Sequence, residues 1–243
     1  MRYLLLLLAF FFTGCGCGGQ NPRSVYRVGI DPNWGPLDFG NQLPYVNGYT
    51  EELLLQMARY HGIAFKKSTA NDSSLVAGLK KGRYDAILTS MPPFEFNKAK
   101  YDFSQNFLDT GLVLVMSEGA KYSDLSDLSD ELVGIITNSP AALIVEQNPK
   151  VIIRTYSSIP ETLDAIVSGE IEAAVLPRLP VSAYVRDLYN EKLKIALEPL
   201  TKEGLHAVAK KGSGTFIRMF NKSIERMKKK HSLTALEKKW QLQ

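Results

Sequence analysis

A strand-helix alternation runs through this chain twice, with a polar break between the two runs, and nothing else in the sequence restricts the fold so tightly. Short apolar strands are predicted at residues 26–30, 84–88 and 111–116, with helices at 50–61 and 73–81 and a short one before Phe103-Ser104. In the helix at 50–61, Glu51 and Glu52 suit the N-terminal dipole end, Leu53, Leu54, Met57 and Tyr60 or His61 form the stripe, and Gly62 ends it. After a stretch at 118–131 rich in Asp and Ser, strands at 132–136, 151–156 and 171–176 alternate with helices at 141–147, 160–168 and 181–188. A last strand at 205–209 precedes helices at 214–230 and 233–240, which have no sheet of their own to cover and are expected to return to the first half. The fold class is therefore α/β, with one lobe from 25–110 and 200–243 and a second from 111–199. Two crossings, near 108–112 and 199–203, would form a hinge.

The N-terminus carries Arg2, an unbroken apolar run at 3–12, and then Phe12-Thr13-Gly14-Cys15, the order of an export signal. That run is about half the roughly twenty residues a bilayer needs. Phe12-Thr13-Gly14-Cys15 also resembles a bacterial lipobox, so 1–14 is expected to be a signal peptide and 15–24 a tether lipidated at Cys15. The alternative is an ordinary cleaved signal, with Cys15 and Cys17 free or bonded to each other. Neither cysteine lies in the part expected to fold, so the core must hold without a disulfide framework or a cysteine metal site. Without Arg2, 28 basic residues face 25 acidic ones, too small an excess to suggest nucleic acid. The one basic cluster, Arg226-Met227-Lys228-Lys229-Lys230, is expected to be a solvated helix end where cations suit the dipole; the alternative is a partner or lipid site.

Two strands end in small or polar residues: the first runs into Asp31-Pro32-Asn33-Trp34-Gly35-Pro36, and 84–88 runs into Thr89-Ser90-Met91-Pro92-Pro93. In open α/β sheets the crevice at carboxyl ends of strands is where small molecules bind. Seven motifs then carry a resemblance: Arg27-Val28-Gly29-Ile30-Asp31, Gly48-Tyr49-Thr50-Glu51-Glu52-Leu53, Gly82-Arg83-Tyr84-Asp85-Ala86-Ile87, Asp102-Phe103-Ser104, Val133-Gly134-Ile135, Gly169-Glu170-Ile171-Glu172-Ala173-Ala174-Val175 and Glu237-Lys238-Lys239-Trp240. Together they resemble the polar amino-acid branch of the bacterial extracellular solute-binding proteins, family 3, the capture subunits of ABC importers. The resemblance implies a type II periplasmic-binding fold whose two lobes close on an amino acid or short peptide and deliver it to an inner-membrane permease. It implies no cofactor, a monomer, and a periplasmic or extracytoplasmic place on the membrane.

Carried over position by position, the resemblance puts Asp31, Trp34, Thr89 and Ser90 at ligand-binding positions. Asp31 would pair a ligand cation or cap its own turn, and Trp34 would stack on the ligand or plug the Pro-Gly turn. Thr89 and Ser90 would donate to a carboxylate or cap a helix. Departures from the family pattern matter as much. The carboxylate-binding arginine falls on Asn97, and the acidic residue for the ammonium falls on Pro177, beside Arg178. A second-lobe hydroxyl falls on Pro140, beside Ser139, and a second aromatic wall falls on Asp72. With Asp31 and Asp72 on one lobe and Arg178 on the other, a zwitterion would be held the other way round, or a cationic ligand or short peptide bound instead. His61, His206 and His231 share no metal-ligand spacing and are expected to be surface or half-buried. No nucleophile elbow or phosphate loop is present, and no catalytic residue or enzyme activity is expected. The alternatives are an exported prephenate-type or arogenate-type dehydratase on the same fold, with Asp31, Asp72 or Glu95 as acid, and a stand-alone sensory module.

Overall fold

A computed structural model of the chain describes residues 24–242; the signal and lipidation expectations at 1–14, Cys15 and Cys17 lie outside the described residues. The elements are β1 (Val25–Ile30), α1 (Leu43–His61), β2 (Ala64–Thr69), α2 (Asp72–Lys80), β3 (Ala86–Thr89), α3 (Glu95–Lys98), β4 (Tyr101–Phe103), β5 (Leu108–Asp109), β6 (Leu112–Ser117) and β7 (Leu132–Ile136). They continue as α4 (Ala141–Val145), β8 (Ile152–Tyr156), α5 (Ile159–Val167), β9 (Ala173–Pro177), α6 (Arg178–Leu188), β10 (Leu193–Ile195), β11 (Gly204–Lys210), α7 (Gly214–Lys229) and α8 (Ser232–Lys239).

The strands form two sheets. The first has order β2-β1-β3-β11-β4 with β5 also on β11, and the second β10-β6-β9-β7-β8. In each, three neighbouring strands run parallel, and antiparallel strands extend the sheet on one side. Apolar side chains cover both faces of each sheet, as parallel strands require. Phe216, Phe220, Ile224, Leu233 and Leu236 bring α7 and α8 back onto the first sheet's cluster. Two segments connect the sheets side by side: Thr110 N–H donates to the Glu203 carbonyl at 3.0 Å, Leu200 N–H to Leu112 at 2.8 Å, and Leu112 N–H to Thr201 Oγ1 at 2.8 Å.

Helix α1 and four strands differ from the sequence expectation. Helix α1 begins at Leu43, seven residues before the predicted start, and runs through Gly48. A Cβ at Gly48 would lie 2.2 Å from the Trp240 ring, so this glycine inside α1 is the seat for the aromatic at the end of α8. Strands β2, β4, β5 and β10 were not predicted. β2 and β10 are sheet edges, where the exposed Lys66 and Lys67 and the half-buried Lys194 hide the alternation that marks a strand, and β4 and β5 are only three and two residues long.

Candidate functional site

Five of the predicted positions gather at the carboxyl ends of β1 and β3. Asp31 is buried and accepts from the Asn33 N–H through Oδ1 at 2.9 Å, while its carbonyl accepts from Trp34 N–H at 3.2 Å. The turn is pinned on two sides. The Trp34 indole N–H donates to Asn47 Oδ1 of α1 at 2.8 Å, and the Ser90 hydroxyl donates to the Gly35 carbonyl at 3.0 Å. Next to Ser90, the Thr89 hydroxyl donates to Asp72 Oδ1 at 3.2 Å and accepts from Met91 N–H at 3.1 Å. Asp72 is the first residue of α2, whose cap is the neighbouring Asn71, so its carboxylate sits at the positive end of that helix.

The other placements are less direct. Trp34 has no exposed surface: it packs edge-on against Phe107 in the first lobe's core with φ of 55°, a left-handed backbone a bulky residue adopts only when its surroundings hold it. In this arrangement its ring plugs the core and does not wall a cleft. The Asn97 amide turns back to the Pro92 carbonyl at 2.9 Å. In the second lobe, Ser139 accepts from Ala141 N–H at 3.1 Å, and Arg178 opens α6, its N–H donating to the Gly111 carbonyl of the crossing at 3.0 Å.

A cleft of about 990 Å3 lies between the lobes. Asn41, Gln42 and Tyr45 face it from the first lobe, and Thr137, Ser139 and Tyr184 from the second. Of the predicted residues only Ser139 lines it directly. Leu179, from the first turn of α6, is buried in the first lobe's cluster with Trp34 and Phe107, and Arg186 Nη1 donates to the Gln241 carbonyl at 3.0 Å, so the lobes touch at both ends of α6.

Sequence reasoning missed three buried polar groups. Among the described residues, Gln42 Oε1, Thr110 Oγ1 and His206 Nε2 are buried without a hydrogen-bond partner. Buried polar atoms are nearly always satisfied, so the three are departures from the rule: Gln42 borders the cleft and Thr110 the crossing, while His206 lies within the first sheet. His206 corrects the expectation of a surface or half-buried histidine: it is 4% exposed on β11, opposite Thr89 of β3. Its Nδ1 lies 3.0 Å from the Ser104 carbonyl and must carry the proton, leaving Nε2 as a bare acceptor, and burial holds its pKa below the ordinary value. The orphans come from loops and strands distant in sequence, and no local pattern announces them. Among the described residues no group of three or more potential metal ligands comes together, and no helix is long and apolar enough to cross a membrane.

Comparison with known proteins matches residues 26–243 to the family model described as bacterial extracellular solute-binding proteins, family 3. The L-cystine-binding protein TcyJ of Escherichia coli (strain K12) is 24% identical over 221 residues, 90% of this chain and 83% of that protein. The arginine-binding extracellular protein ArtP of Bacillus subtilis (strain 168) is 24% identical over 255 residues, 98% of this chain and 97% of that protein. Among solved structures, the L-cystine solute receptor of Neisseria gonorrhoeae in its unliganded open conformation matches with a TM-score of 0.72 at 20% identity, covering 90% of this chain and 93% of that one.

Proposed function

The chain belongs to the bacterial extracellular solute-binding proteins, family 3, and from that premise we propose that it captures an amino acid or short peptide by closing its lobes and passes it on unaltered to an ABC permease. The observation that carries this is the cleft walled by both lobes, with the two crossings beside one another where a hinge must be. A ligand bound in the cleft touches both walls only when they approach, so it favours the closed population. Relatives described as binding L-cystine and arginine support an amino-acid-like solute. Asp31 and Asp72 on the first lobe and Arg178 on the second, none of which lines the cleft in this structure, become the ionic grip when the lobes close, with the ammonium toward the carboxylates and the carboxylate toward Arg178, the reverse of the family's pose. The protein acts as a monomer without enzyme activity, held at the membrane through acyl chains on Cys15.

Thermal unfolding with L-cystine, arginine, histidine, glutamine and di- and tripeptides tests capture. A ligand at a hundred times its Kd adds about 2.7 kcal/mol, or about 5–10 °C for a chain of this size. No shift with any solute, or turnover of prephenate to an aromatic product, sinks the reading. Titration of Arg178→Ala and Asp31→Asn tests the grip separately: each should weaken binding about ten-fold or more. Unchanged affinity in both would remove the reversed pose while leaving capture intact.

A further inference from the structure

The basic run at 226–230 plays no part in the solute cleft. It borders a separate concavity of about 370 Å3 on the first lobe, where the C-terminal ends of α1 and α7 meet the start of α8. Buried Met57 and Met227 belong to its lining, together with the exposed cations Arg59, Arg226 and Lys230. This pocket shares no residue with the cleft.

Several features separate it from a merely solvated helix end. No carboxylate lines it, and none of the three cations forms an ion pair among the described residues. The Arg226 guanidinium lies 3.9 Å from the centre of the Tyr60 ring, which holds a flexible side chain in place. Ser232, first residue of α8, is also in the lining, so one positive helix end borders the pocket against the negative ends of α1 and α7, and the net positive field there comes from the three cations. The local field acts on His61, whose Nε2 lies 2.8 Å from Ser223 Oγ: burial first, then Lys222 and Arg226, hold its pKa below the ordinary value.

Three cations converging from two helices without an internal counter-ion match an anion with more than one charge and several acceptor oxygens, which suits phosphate better than a carboxylate. We propose that this pocket binds a phosphate group, carried either by a small phosphate ester or by a phospholipid headgroup, with the methionines against the carbon part. The site is independent of the solute cleft and stands whether or not the proposed solute is correct.

The test uses the full chain with Cys15→Ser, so that no acyl chain can attach there. Equilibrium dialysis measures inorganic phosphate and glycerol 3-phosphate. Co-sedimentation compares vesicles of phosphatidylglycerol in phosphatidylcholine with phosphatidylcholine alone. Saturable binding to at least one phosphate probe is expected, weakened about ten-fold by Arg226→Gln with Lys230→Gln. Lys228→Gln with Lys229→Gln removes the same charge from α7 outside the pocket and should weaken binding less than about two-fold. Binding of the small phosphates assigns a free ligand, and binding to the anionic vesicles alone assigns a headgroup; both support the pocket. No binding to any probe, or equal losses from the two variant pairs, overturns it. Tyr60→Leu removes only the ring beside Arg226, and its loss of binding is read in the same way should the double variant not fold.

Discussion

His206 shows how much a single side chain depends on the strands around it. In sequence it is an ordinary polar residue in an apolar strand; in the structure β3 and β4 flank it, and the Phe103 ring meets it edge-on at 5.8 Å. Burial keeps its folded-state pKa below the value of about 6.5 expected in an unfolded chain. Above that pH both states are neutral and the residue contributes no pH dependence. As pH falls through about 6.5, the unfolded chain binds a proton that the folded form resists, so stability is lost on acidification. His61 adds an effect of the same sign. Thermal midpoints recorded from about pH 7 to about pH 5 should therefore fall more steeply in the native protein than in His206→Gln; parallel profiles would exclude His206 as a source. Asp31 and Trp34 teach the complementary lesson. The Asp31 cap on Asn33 is a contact over two positions and was one of the two roles its sequence offered, whereas the burial of Trp34 needed the chain's return through α1 and Phe107.

At the scale of elements, the motifs that carried the family resemblance turn out to join elements to each other. Gly48 and Glu52 of α1 receive α8: Trp240 lies over the glycine, and its indole N–H donates to Glu52 Oε2 at 3.0 Å beside the Lys239 ammonium at 2.6 Å. Asp85 accepts from the Arg27 backbone N–H and guanidinium, both at 2.7 Å, tying the turn before β3 to β1. Ser104 Oγ accepts from Ala207 N–H at 2.8 Å, fixing the loop after β4 against β11. Such residues announce a fold while saying little about its ligand. Gly48→Ala would force a methyl into the Trp240 ring and should cost about 1–3 kcal/mol of stability in urea unfolding. A loss below about 0.5 kcal/mol, the range of ordinary surface changes, would show that α8 can shift without penalty.

For the whole molecule, the two crossings set how the lobes can move. A Cβ on Gly111 would lie 2.3 Å from the Thr201 carbonyl oxygen, so the crossings run in contact and leave no room for a side chain. Gly111→Ala should destabilise the chain by about 1–3 kcal/mol and reduce the change in radius of gyration on adding solute. Solution scattering with and without the best solute from the thermal panel checks this; an unaltered change would mean that closure does not bend at Gly111. The strand-helix alternation and most helix ends followed from the order of residues alone, because periodicity, caps and turn residues act over a few positions. Tertiary structure decided which faces meet, where the cleft opens and which cations share the second pocket. Those outcomes rest on contacts such as Gly48 with Trp240 and Tyr60 with Arg226, between residues far apart in the chain, whose neighbourhood exists only once the sheets have formed and buried their surfaces.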